Sequence, residues 1–106
     1  MSSPFADKPL FNISIFTPKP GRLDDFLAAQ LAGLPRLGAI RGLNQSRTFR
    51  AENGSRAVLM SGFDSLEAFR DFQNGAPFQA ERARLLPLLE KAEPGFFRLV
   101  QDRVYG

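Results

Sequence analysis

Histidine and cysteine are both absent from the 106 residues. Their absence removes the commonest general base, the thiolate nucleophile and the strongest soft-metal ligands. Any chemistry falls to amides, hydroxyls, carboxylates and guanidinium groups. Asn12 is one candidate catalytic residue: its amide can hydrogen-bond a phenol or a developing oxyanion, or it can be a polar residue on an open strand face. Arg47 is the second, with Arg50 beside it at a spacing that puts the two on opposite faces of a strand. An inward arginine can stabilise an enolate or peroxide anion, whereas an outward one is ordinary surface. Ser61 has the parity of Phe63 and so can line the same pocket wall, but nothing can activate it as a nucleophile. Tyr105, the single tyrosine, fits either a pocket or an interface. Arg98 and Asp102 share a parity and read as a structural ion pair. Eleven phenylalanines and no tryptophan, with Phe16, Phe26, Phe63 and Phe78 foremost, supply core and can also line an aromatic pocket.

These residues need elements to hold them. In residues 10–17, Phe11, Ile13 and Ile15 alternate with Asn12, Ser14 and Phe16, the period of a strand. Pro18, Pro20 and Gly21 then stop it. Leu23, Phe26, Leu27, Leu31 and Leu34 recur at helical spacing, with Asp24 and Asp25 in the first turn, where carboxylates suit the positive helix end. Pro35 and Gly38 are expected to end that helix. Residues 40–50 and 56–63 read as strands joined through Asn53-Gly54, a strong hairpin signal. Asp64, three residues before Glu67, has the spacing of a capping box, and Leu66, Phe69 and Phe72 mark a short helix that Asn74-Gly75 interrupts. Pro77 opens a further helix, which Pro87 should kink or divide and Pro94-Gly95 should close. A last strand is expected over residues 96–105. The order is β-α-β-β-α-β, an α+β chain of ferredoxin-like topology with an antiparallel sheet.

The strand at residues 56–63 is apolar on both parities, with Ala57, Leu59 and Phe63 on one and Val58 and Met60 on the other. One helix layer covers only one side of a sheet, so the pattern asks for cover on the other and points to a homodimer. The chain has room for one domain, residues 10–106, preceded by a loose arm over residues 1–9. The 14 basic and 11 acidic residues are interspersed, without the basic stripe of a nucleic-acid binder. No run approaches the length of a membrane span, and the first residues lack a signal peptide's apolar stretch, so a cytoplasmic location is expected.

Three stretches resemble the antibiotic-biosynthesis monooxygenase family of dimeric α/β barrels: FNISIFTPKPGRLDDFLAAQ, SRTFRAENGSRAVLMSGFDSLEAFRDF and APFQAERARLLPLLEKAEPGFF. The resemblance implies two sheets closing a barrel between subunits, and a pocket in each subunit between sheet and helices. It makes Asn12 the counterpart of a strand asparagine in the family. Phe63 stands where members often have tryptophan, and Phe78 where they often have histidine. The haem-degrading branch uses such a histidine as its iron ligand. This chain could offer only Tyr105, so no cofactor and no metal is expected.

The activity the resemblance implies is cofactor-independent monooxygenation of a small aromatic or quinol-type molecule. An ionised substrate there reduces dioxygen itself, and the protein supplies a dry pocket, a proton acceptor and donors for the anion. Expected site residues are Asn12 and Arg47 as catalytic groups, with Phe16, Phe26, Ser61, Phe63, Phe78 and Tyr105 around the substrate. Two other functions fit the same scaffold: a non-catalytic small-ligand-binding or stress-related dimer, and an isomerase or lyase using Asp or Glu as base.

Overall fold

A computed structural model describes residues 3–106. Its elements are β1 (Leu10–Pro18), α1 (Leu23–Leu37), β2 (Leu43–Arg50), β3 (Ala57–Phe63), α2 (Leu66–Gln73), α3 (Ala76–Leu85), a 3-10 turn (Leu86–Leu88) and β4 (Leu89–Arg98). The strands form one antiparallel sheet in the order β2-β3-β1-β4, the ferredoxin-like arrangement. Of the expected arm, residues 1–2 lie outside the described residues, and residues 3–9 make turns closed by Ala6 N–H to Ser3 and Lys8 N–H to Phe5.

Side-chain alternation divides the sheet into two unlike faces. On β1 the helix-facing set is Leu10, Asn12, Ser14, Phe16 and Pro18, of which Leu10, Ser14 and Pro18 are buried. Phe16 packs on Phe26 of α1, ring centroids 5.1 Å apart. Leu23, Phe26 and Ala57 form the core, with Leu27, Leu85, Leu88 and Leu89 against it. Ring contacts from Phe63 and Phe96 to Phe69 hold α2 on the same face. The register puts Phe11, Ile13, Ile15, Val58, Met60, Phe49 and Phe97 on the other face. Phe49 and Phe97 are about half exposed there, at 48% and 52%.

Several boundaries differ from the sequence expectations. The last strand is residues 89–98, not 96–105, and Pro94-Gly95 lies inside it rather than ending a helix. Glu90, Lys91 and Ala92 favour helix in isolation, but Pro87 has already broken the helix into a 3-10 turn. The chain then pairs with the full length of β1 as an edge strand, where a proline is tolerated. Pro35 does not end α1; the helix continues a further half-turn to Gly38, which adopts φ +68°. The first hairpin strand begins at Leu43, after the loop that closes at Ile40 and Gly42. Ser65, not Asp64, caps α2, its hydroxyl accepting from Ala68 N–H at 3.0 Å. Asp64 instead accepts from the Asn44 amide. Arg98 donates to the Lys8 carbonyl, and it makes no ion pair with Asp102, which lies beyond the strand end.

Glu81 is buried, at 8% exposure, whereas Arg82 and Arg84 on the same helix are exposed. Arg36 of α1 grips it through Nε at 2.6 Å and Nη2 at 3.2 Å. Room for the carboxylate comes from Gly33, where a Cβ would collide with Glu81 Oε2. The pair clamps α1 to α3.

Candidate functional site

A cleft of about 390 Å³ opens where the end of α1 and the loop after it meet α2 and the start of α3. That volume is at the lower end of the range of about 300–1,000 Å³ for small-molecule sites. Leu37 and Ile40 supply one apolar wall, and Ala68, Phe72, Pro77 and Phe78 the other. Phe72 and Phe78 meet edge to face, centroids 4.9 Å apart, and Phe72 rests on Phe63 at 5.9 Å. The cleft is therefore one end of an aromatic row that runs through the buried Phe63 and Phe69 to the half-exposed Phe96. Its polar groups are Arg41 on the loop, Ser65 at the cap of α2, and Glu67 and Asp71 on that helix.

Local sequence shapes this opening. Gly42, at φ +81°, turns the chain so tightly over α2 that a Cβ there would lie 2.5 Å from the Ala68 methyl. Its carbonyl accepts from Asp64 N–H at 2.8 Å, fastening the loop to the hairpin strand before α2 begins. Glu67 and Asp71 are four apart and therefore neighbours on one side of α2. Neither they nor Arg41 makes an ion pair within 4.0 Å among the described residues, in contrast to Arg22, Arg36, Arg50 and Arg84.

Phe78 is the one expected pocket residue that borders the cleft. Phe63 is buried at 3% exposure and supports Phe72 from beneath. Phe16 and Phe26 pack in the core. Asn12 and Ser61 face each other across β1 and β3 on the helix-facing side. The Asn12 amide donates to the Gly95 carbonyl at 3.3 Å and accepts from the Ser14 hydroxyl at 3.4 Å, so both its ends are engaged within the sheet.

Arg47 is not with Asn12. It lies on the opposite face, level with Met60 and Ile13, and borders a second groove of about 280 Å³ with Phe11, Phe97, Leu99 and Asp102. Arg50 faces the helix side and is held by Asp24 at 2.9 Å, an exposed pair that lowers the Asp24 pKa. Tyr105 is 78% exposed beyond the last strand, beside Arg103.

Sequence reasoning passed over Arg41, Glu67 and Asp71, because an exposed charge gives no periodic signal until a cavity forms beside it. It also passed over Gln30, whose Oε1 is buried without a hydrogen-bond partner. Gln30 is four residues, about one turn, beyond the buried Phe26 on α1. An amide on that apolar stripe was the available signal.

No family model and no curated protein sequence matches the chain. Solved structures do match it in shape. SnoaB, a cofactor-independent oxygenase from Streptomyces nogalater, superposes with TM-score 0.78 at 19% identity, over 92% of this chain and 97% of that one. The fold is shared. A protein from Bordetella bronchiseptica, named as a candidate antibiotic biosynthesis monooxygenase, gives TM-score 0.77 at 21% identity, covering 89% of this chain and 99% of its own. Rv0793 from Mycobacterium tuberculosis gives 0.76 at 18%, over 91% and 99%. The ferredoxin-like reading of the sequence thus agrees with both the strand order and these likenesses.

Proposed function

We propose that the chain is a cofactor-independent monooxygenase of a small aromatic or quinol-type molecule, working as a homodimer. The observation that carries this reading is the cleft beside α2: aromatic Phe72 and Phe78 together with Arg41, Glu67 and Asp71, none of which is in an ion pair among the described residues. A ring stacks on such an aromatic pair while its oxygens meet the polar side chains, the usual division of labour in small-molecule sites. The shared fold with SnoaB supports the reaction class. In that reaction the substrate anion is the reductant of dioxygen, so amides, carboxylates and guanidinium groups suffice on the protein's side. Asn12 does not border the cleft; its amide is engaged with the Ser14 hydroxyl and the Gly95 carbonyl within the sheet.

A second copy covers the open sheet face. Ile13, Ile15, Val58 and Met60 line its centre, and no helix of the chain packs there among the described residues. Sedimentation at micromolar concentration is expected to give twice the 11.8 kDa chain mass.

Aerobic incubation with a panel of hydroquinones tests the activity. Product formation above the protein-free rate is the expected result. Saturable binding with no rate enhancement across the panel would replace the enzyme by a ligand-binding dimer.

A further inference from the structure

The cleft's charged groups are sorted by wall. The Glu67 and Asp71 carboxylates of α2 stand on one side, beside the Ser65 hydroxyl that caps the helix; the guanidinium of Arg41 is on the loop closing the other side. A carboxylate accepts hydrogen bonds only, and a guanidinium donates only. None of the three charged groups is engaged in an ion pair within 4.0 Å among the described residues, although five other pairs form along the chain. Gly42 and the Asp64 N–H contact hold the two walls at a fixed separation.

We infer that Glu67 and Asp71 receive a hydroxyl of the bound ring while Arg41 donates to a carbonyl oxygen elsewhere on it, so that these three residues set the specificity of the cleft. The inference rests on the aromatic-ligand reading above and adds a polarity to it. The arrangement selects a flat molecule carrying a donor at one edge and an acceptor at another, conjugated through the ring. When the hydroxyl ionises, its O–H bond breaks and the proton passes to a carboxylate oxygen of Glu67 or Asp71. The electron pair spreads through the ring to the carbonyl oxygen beside Arg41, whose positive charge favours the anion. In a chain without histidine, the cleft's proton acceptor is thereby a carboxylate.

Binding alone tests this, separately from turnover. The probes are 6-hydroxy-1,4-naphthoquinone, 1,4-naphthoquinone, which lacks the hydroxyl, and 2-naphthol, which lacks the carbonyls. The protein has no cysteine for a quinone to alkylate. By calorimetry, the hydroxyquinone is expected to bind about tenfold or more tightly than either of the others, the size of one hydrogen bond to a charged group. In a Glu67→Ala/Asp71→Ala double variant, the preference over 1,4-naphthoquinone should fall to roughly threefold or less, with the affinity for 1,4-naphthoquinone itself kept. In Arg41→Ala, the preference over 2-naphthol should collapse instead. All three positions are exposed, so the variants should fold, and thermal melting checks that they do. Preferences that survive both variants, or no binding of any probe, overturn the inference. A failed hydroquinone turnover assay with these binding preferences intact would overturn only the oxygenase reading.

Discussion

Glu81 shows how one side chain joins chemistry to stability. Its carboxylate is buried against Gly33, and the hydrogen bond from Arg36 lowers its pKa against the opposing effect of burial. The sign follows from linkage. A carboxyl that is more acidic folded than unfolded contributes stability above the unfolded value, about 4.3 for glutamate, and loses it as pH falls through the lowered folded value. Urea midpoints measured from pH 6 down to pH 3 should therefore decline in the acid range. Glu81→Gln should be less stable than the parent at pH 6 and should show a shallower acid decline; parallel profiles would show that the pair is not the source. Gly33→Ala should destabilise at every pH, because the added methyl displaces the carboxylate from its seat. The sequence offers Glu81 only as one charge in a polar helix segment. Its burial depends on a glycine forty-eight positions earlier, a long-range coincidence that no local period contains.

At the scale of elements, caps and edges decide what propensity leaves open. Ser65 has extended backbone angles and its hydroxyl accepts from Ala68 N–H, so it closes the first turn of α2. Ser65→Ala is expected to cost about 1 kcal/mol, read as a lower urea midpoint, and Asp64→Ala should cost less because that side chain meets only the exposed Asn44 amide. The reverse ranking would restore Asp64 as the cap. Sequence spacing could not separate the two, since both residue types cap well and they are adjacent. The last strand teaches the same lesson more strongly. Glu-Lys-Ala-Glu carries helix preference, yet residues 89–98 form β4 because β1 would otherwise present an unpaired edge along its whole length.

For the molecule as a whole, the consequential fact is that the sheet has two apolar faces and one helix layer. Val58 and Met60 face away from the side on which Ala57 joins the core and Phe63 is buried. Val58→Glu should leave the helix-side core intact and place a charge in the proposed subunit interface. The variant is expected to sediment at the 11.8 kDa chain mass with an unchanged far-ultraviolet spectrum; a stable dimer in that variant would move the interface elsewhere. The same two-sidedness separates Arg47 from Asn12. Within one subunit they lie on opposite faces, so they cannot act on one substrate atom together.

Local pattern by itself determined the order of elements through α3, the hairpin at Asn53-Gly54, the divided third helix and the two-sided apolar strand. Each of these is carried by residues within one or two turns or one strand, where the periods of helix and strand act directly. Tertiary structure decided the rest. The strand identity of residues 89–98 came from pairing with β1, the burial of Glu81 from the space at Gly33, and the position of the cleft from Gly42 pressing its loop onto Ala68. Arg41, Glu67 and Asp71 acquire meaning only when that approach leaves a cavity between them. A cavity is a property of surfaces that face each other, and facing is fixed by packing between segments far apart in the chain.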